Sequence, residues 1–72
     1  MTVRSLLSQG NDKLFFAEVD TPLLDALVLL AHAMGTSKEK LLASLPDLVA
    51  PEVVERYLAM VDRRCSGIPV SI

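Results

Sequence analysis

The feature that most constrains the fold is an almost unbroken apolar run between a proline and a glycine. Residues 23–34 are all apolar except Asp25 and His32, and the run is well below the ~20 residues that a membrane-spanning helix needs. Pro22 suits the first turn of a helix, and Gly35 suits the left-handed residue that often follows one. A helix that is apolar on nearly all sides is normally surrounded by other elements. We therefore expect a central helix with neighbours packed around it.

The segment before this run predicts a helix over about residues 3–17, with a break near Gly10 as the alternative. Thr2 is expected to cap it, and Thr21 is expected to cap the central helix. The residues expected on the inner face of the first helix are Val3, Leu7, Gly10, Leu14 and Ala17.

Two further helices are predicted after Gly35. The first begins with a possible capping box at Thr36-Ser37-Lys38-Glu39 and ends at Pro46. Its inward residues are expected to be Leu41, Leu42 and Leu45. The second begins at Pro51 and ends at Gly67, with Arg63 and Arg64 in its last turn. Its apolar stripe consists of Val54, Tyr57, Leu58, Val61 and Cys65.

Length and composition complete the prediction of the fold. The 72 residues are 51% hydrophobic but only 4% aromatic, which favours helices and leaves room for one domain. The predicted fold is all-α, a small orthogonal bundle of four to five helices with a central apolar helix. Residues 1–67 are expected to form the helical domain. The apolar residues 68–72 are expected to begin a linker, which indicates that the chain is a piece of a longer protein.

Charge and cysteine content limit the partners. A net charge of −2 lacks the basic excess that nucleic acid binding requires, and a DNA-binding helix pair around Gly35 would offer only Lys38 and Lys40 near its start. Cys65 is the single cysteine, so neither an internal disulfide nor a cysteine zinc cluster can form. The first residues show no export signal. We expect a cytoplasmic protein with no membrane segment.

No residue pattern predicts a reaction centre. Asp25 and His32 share a face, but seven residues of helix separate them by ~10 Å, too far for proton transfer. Cys65 lies on the apolar stripe, where a core role is expected. The three glycines are too far apart for a phosphate-cradling loop. We therefore predict no catalytic, cofactor-binding or metal-binding residues, and a role in binding or scaffolding.

Three stretches of the chain resemble one family. Pro22 to Gly35 resembles the Pro-x-x-Asp-Ala-x-x-Leu-Leu-x-x-x-x-Gly helix of the HemK/PrmC family, methyltransferases that modify a glutamine of peptide chain release factors. Ser37 to Leu42 is similar to the helix that follows there. Arg63 to Val70 resembles the family's Arg-Arg-x-x-Gly-x-Pro-hydrophobic segment. The chain departs from the family at Leu23, where Arg is frequent, at Glu18, where a small residue is usual, and at residues 10–12.

This resemblance implies an N-terminal domain whose catalytic, S-adenosylmethionine-binding part lies beyond Ile72. The family's Asn-Pro-Pro-Tyr motif and glycine-rich loop have no counterpart here, so this chain alone is expected not to be an enzyme. The implied function is to recognise the release factor and position its Gly-Gly-Gln glutamine for N5-methylation. The implied partners are the release factor and the catalytic domain of the same protein. We predict contacts at Leu23, Arg56, Arg63 and Arg64, and a monomer.

One alternative remains from the residues themselves. The surplus of apolar side chains is also compatible with a self-contained helical adaptor or dimerisation module. A stable dimer of the 72-residue chain would favour that alternative.

Overall fold

A computed structural model describes residues 1–66 and contains four α-helices in this part of the chain. They are α1 (Val3–Phe16), α2 (Pro22–Met34), α3 (Lys38–Ala43) and α4 (Pro51–Cys65). The predicted all-α fold is confirmed, with four helices rather than five in the described range. The predicted helix end at Gly67 and the predicted linker at 68–72 lie outside the described residues.

The central position predicted for α2 is confirmed. This helix packs against α1, α3 and α4, and it contributes five buried residues, Ala26, Leu29, Leu30, Ala31 and Ala33. It begins at Pro22 and ends before Gly35, whose φ of 68° is left-handed as expected. The predicted Thr21 cap is wrong, because the hydroxyl of Thr21 donates to Asp25 Oδ1 at 3.3 Å and accepts no backbone N–H of the helix.

The first helix runs without a break. Its N-terminus is capped as predicted, since the Thr2 side chain accepts a hydrogen bond from the Ser5 backbone N–H. The inner face differs from the predicted one at two positions, because Leu6 is fully buried and Ala17 is exposed. Ala17 lies beyond the last helical residue, so it no longer follows the helical period.

The continuity of α1 at Gly10 has a tertiary cause. Tyr57 of α4 is fully buried, and a Cβ atom built on Gly10 would overlap its phenol oxygen. The absence of a side chain at Gly10 thus lets α1 and α4 approach closely. Burial raises the pKa of Tyr57 well above its ordinary value, so its hydroxyl stays neutral. That hydroxyl has no hydrogen-bond partner among the described residues.

The beginning of α1 is tied to the loop between α3 and α4. The free N–H groups of Val3 and Arg4 donate to the carbonyls of Asp47 and Leu45, both at 2.9 Å. Val49 N–H donates in turn to the Met1 carbonyl at 2.8 Å. The first turn of α1 therefore finds acceptors for donors that no residue within the helix can satisfy.

The remaining two helices follow the prediction with corrections. Ser37 caps α3 by accepting from the Lys40 N–H at 3.3 Å, which places the cap one residue after Thr36. Leu41 is buried, but Leu42 is half exposed, because adjacent residues of a helix point ~100° apart. The predicted stripe of α4 faces the core, with Tyr57 and Val61 fully buried and the other three partly buried.

Candidate functional site

Two of the predicted contact residues bind groups within the domain. The Arg64 guanidinium donates from Nε to Asp25 Oδ2 of α2 at 3.1 Å, and both side chains are largely buried. Arg56 Nη1 donates to the Ala33 carbonyl near the end of α2 at 3.3 Å. These two contacts hold α2 and α4 together near both ends of α2.

Arg56 and Arg63 share one face of α4. They are seven residues apart, which places them within ~20° of each other around the helix axis, and both residues are exposed. Arg63 makes no ion pair with the described residues. Since the charge of Arg64 is balanced by Asp25, this face of α4 carries two accessible cations. We call this surface, made of Arg56 and Arg63, the cationic edge.

Leu23 is exposed, but it does not belong to the cationic edge. It precedes Asp25 by two residues, or ~200° around the axis of α2, so the two side chains leave the helix in nearly opposite directions. Asp25 points to Arg64, and Leu23 therefore lies on the other side of α2. The four predicted contact residues thus do not form one continuous site.

The prediction missed Leu24, which is exposed on the outer face of α2. Leu24 is about half exposed, and it precedes Val28 and His32 by four and eight residues, which places the three on one face. His32 is exposed as well. A continuous apolar run cannot reveal from sequence which of its leucines faces outward.

An apolar groove lies between the end of α1 and the start of α2, and it too was missed. Its volume is about 500 Å³, and it is lined by Phe15, Phe16, Glu18, Val19, Asp20 and Pro22. Phe15 is 66% exposed and Phe16 is 83% exposed, and their rings meet edge to face at 5.9 Å. A signal was available in the sequence. Consecutive residues of a helix lie ~100° apart, so two phenylalanines directly after the inward-facing Leu14 cannot both face the core.

The remaining residues that the sequence analysis considered for chemistry are Asp25, His32 and Cys65. Asp25 is held by Arg64 and Thr21, while His32 is exposed. The Cys65 thiol is partly buried and donates to the Lys13 carbonyl at 3.6 Å. Within residues 1–66, no group of three or more His, Cys, Asp or Glu side chains could hold a metal ion.

None of the four described helices is long and apolar enough to cross a membrane.

Helices α1 to α4 define the class of the molecule as a small all-α domain built around one apolar helix. The model of the PrmC N-terminal domain family matches residues 5–72. The chain belongs to this family, which confirms the resemblance of its three stretches.

Curated relatives carry the same indication. The chain is 36% identical to the release factor glutamine methyltransferase of Moorella thermoacetica over 70 residues, which is 97% of this chain and 25% of that protein. Identity to the Deinococcus radiodurans protein of the same name is 30%, with the same coverage. A bifunctional methyltransferase of Rickettsia prowazekii is 29% identical over 97% of this chain and 14% of its own length.

The chain thus spans about a quarter of the length of the release factor glutamine methyltransferases that it matches. No solved structure gives a significant match.

Proposed function

We propose that this chain is the release-factor-recognition domain of a longer, cytoplasmic protein-glutamine methyltransferase. The proposal is supported by the family match over residues 5–72 and by two relatives that are named release factor glutamine methyltransferase. The partner is a peptide chain release factor, and the transferred methyl group comes from S-adenosylmethionine bound by another part of the longer protein.

The described residues do not fit that cofactor. A glycine-rich loop that cradles such a ligand needs glycines whose backbone is open to it. Gly10 is instead packed against Tyr57, and Gly35 ends α2 in a left-handed conformation. The domain therefore contributes binding and orientation, while the reacting groups belong to the rest of the enzyme.

The cationic edge is the surface that we assign to the release factor. Arg56 and Arg63 project from one face of α4, which is held against α2 by the Arg64–Asp25 ion pair. A partner that contacts both arginines takes one orientation relative to α2 and α4. Holding a substrate in the reactive orientation raises the rate without adding a reacting group.

A titration tests this assignment. The release factor encoded by the same genome is added to the 72-residue chain while backbone amide shifts are recorded. We expect shifts in α4 near Arg63 and in the first turn of α2. Replacing both Arg56 and Arg63 with Ala should weaken binding about tenfold, because rim cations steer and orient a charged partner.

Matched variants make the test specific. Arg4→Ala removes an exposed arginine of the first turn of α1, and it should leave affinity unchanged. Leu23→Ser and Leu24→Ser change two exposed leucines on different sides of α2. A larger loss for Leu23→Ser would place the partner on the side away from Arg64, and equal losses for Arg4→Ala and the double variant would contradict the cationic edge.

A dimerisation module remains the second candidate, because several large apolar side chains are exposed. Phe16 is 83% exposed and Leu48 is 80% exposed, and apolar surface of this kind often marks an interface. We propose a monomer. Sedimentation at micromolar concentration distinguishes the two, since a stable dimer would favour the module.

A further inference from the structure

The groove between α1 and α2 combines exposed aromatic side chains with acidic ones. Phe15 and Phe16 are 66% and 83% exposed, and Glu18 and Asp20 line the groove with them. Among the described residues, no basic side chain belongs to its lining. Apolar surface that stays exposed on a small domain often marks an interaction site. The acidic side chains then restrict which kind of partner can bind there.

The two carboxylates of the groove are not neutralised within the domain. Both residues are exposed, and neither forms an ion pair with another residue of the range 1–66. Lys13, the nearest cation in sequence, pairs instead with Asp62 of α4 at 3.6 Å. Residues 67–72 contain no basic side chain. The groove therefore carries negative charge that a partner can complement.

The backbone fixes Glu18 beside the aromatic rings. Glu18 N–H donates to the Phe15 carbonyl at 3.0 Å, and Val19 N–H donates to the Leu14 carbonyl at 3.1 Å. These two hydrogen bonds close the turn in which Glu18 takes its left-handed conformation. The largely exposed ring of Phe16 lines the same groove. A carboxylate and an open aromatic ring are thus brought together before any partner binds.

Arginine is the side chain that complements both features. Its planar guanidinium stacks on an aromatic face, and its forked N–H groups donate to carboxylates. Lysine has the same charge but lacks the planar fork. Aliphatic side chains next to the arginine would cover Val19 and Pro22, the aliphatic part of the lining. The volume of about 500 Å³ is that of pockets that hold small ligands, so a short segment fits.

We propose that the groove binds a short segment of a partner protein in which an arginine stands next to aliphatic residues. The arginine lies against the Phe16 ring and pairs with Glu18 or Asp20. Its aliphatic neighbours contact Val19 and Pro22. The groove thus selects a segment of opposite charge to the one that complements the cationic edge. The proposal does not depend on release factor recognition at the cationic edge, and its test leaves that surface unchanged.

A peptide titration tests the preference for arginine. The probe is the acetylated and amidated hexapeptide Ser-Leu-Arg-Leu-Arg-Ser, and the matched control peptide has glutamate in place of both arginines. Backbone amide shifts of the 72-residue chain are recorded during both titrations. We expect saturable shifts at Phe15, Phe16 and Val19. The arginine peptide should bind about tenfold more tightly than the glutamate peptide, because charge complementarity and the cation–aromatic contact both favour it.

Matched variants separate the charge of the groove from the total charge. Glu18→Gln combined with Asp20→Asn removes both groove carboxylates, and the two peptides should then bind within about twofold of each other. Glu39→Gln combined with Glu52→Gln removes two exposed carboxylates of α3 and α4, and the tenfold preference should remain. Phe16→Leu keeps the groove apolar but lacks the aromatic face, so it should weaken the arginine peptide about threefold.

Four results would overturn the proposal. They are the absence of shifts in the groove, shifts confined to other surfaces, equal binding of the two peptides, and the same loss of preference in both double variants. Groove shifts that change when the chain alone is diluted would overturn it too, because a second copy of the chain would then occupy the groove.

Discussion

The two ends of α1 contrast in almost every physical respect. At its beginning, Thr2 caps the helix and the N–H groups of Val3 and Arg4 bind loop carbonyls. At its end, Phe15 and Phe16 are exposed, and Glu18 adopts a left-handed conformation with φ of 61°. We call the capped beginning of α1, which is tied to the loop before α4, the closed end, and we call its other end, with exposed phenylalanines and the strained Glu18 turn, the open end.

The turns that follow α1 and α2 have the same hydrogen-bond pattern but different residues, Glu18 and Gly35, at the left-handed position. Glu18 N–H and Val19 N–H donate to the carbonyls of Phe15 and Leu14, the pattern of a Schellman motif. Gly35 and Thr36 repeat this pattern at the end of α2. Glycine adopts the left-handed conformation without penalty, whereas another residue pays about 1 kcal/mol or more. The strained turn lies in the wall of the apolar groove, and strain that persists in a fold is often found next to functional surfaces.

The largest loss of stability is expected for a substitution near the closed end of α1. Leu6→Ala removes a fully buried side chain and should lower the free energy of unfolding by about 3 kcal/mol, from lost burial and the cavity left behind. Phe16→Ala at the open end removes a larger side chain and should cost much less, because that ring is mostly exposed. Urea denaturation measures both, and similar losses would mean that the two ends do not differ in stability.

The next largest loss of stability is expected for a substitution in the middle of α1, at Gly10. Gly10→Ala places a methyl group against Tyr57 and should lower the free energy of unfolding by about 2 kcal/mol through overpacking, despite the better helix propensity of Ala. Tyr57→Phe removes the overlapping oxygen and should rescue part of this loss. A stabilising Gly10→Ala, measured by thermal denaturation, would show that α1 and α4 are not in close contact.

Alkaline pH should lower the free energy of unfolding through Tyr57, the residue that packs against Gly10. The pKa of Tyr57 is raised in the folded state from its ordinary value of 10.0, so the unfolded chain releases the proton first. Stability is therefore fully present below about pH 10 and decreases above it, by at most about 1.4 kcal/mol per pH unit from this group. Denaturation curves from pH 8 to 11 should show the decrease in the parent. The Tyr57→Phe variant serves as the control and should lack this contribution.

The smallest change in stability is expected for a substitution at the open end of α1, at Glu18. Glu18→Gly relieves the left-handed strain but adds freedom to the unfolded chain, so we expect a gain of about 0.5 kcal/mol in the free energy of unfolding. The reverse change, Gly35→Ala, should destabilise the equivalent turn of α2. Thermal denaturation of both variants checks the pair, and a loss of stability in Glu18→Gly would mean that the Glu18 side chain contributes more than its backbone costs.

Local signals predicted much of the fold. Pro22 and Gly35 delimited α2, and the spacing of the apolar residues in α4 correctly predicted that Tyr57 and Val61 face the core. The predictions failed where a partner distant in sequence decides the outcome. Gly10 lies on the inner face of the unbroken α1 as predicted, but nothing in the local sequence indicated that Tyr57 of α4 packs where a Gly10 side chain would lie.

The candidate site shows the same limit. Arg56, Arg63 and Arg64 were predicted together because they are cations of one helix. The structure separates them, since Arg64 pairs with Asp25, thirty-nine residues away in sequence. In the sequence, an arginine that stays exposed cannot be told from one that pairs with a carboxylate. Only the packing of α2 against α4 shows that Arg64 is paired.

The sequence by itself determined the helical class, the apolar helix at the centre and the family to which the chain belongs, because these follow from composition, local periodicity and the order of short motifs. Only the tertiary structure decided which side chains remain accessible. The groove at Phe15 and Phe16, the Arg64–Asp25 pair and the strained Glu18 turn all depend on how α1, α2 and α4 meet. Burial and pairing are properties of contacts between distant segments, and those contacts exist only once the helices have packed.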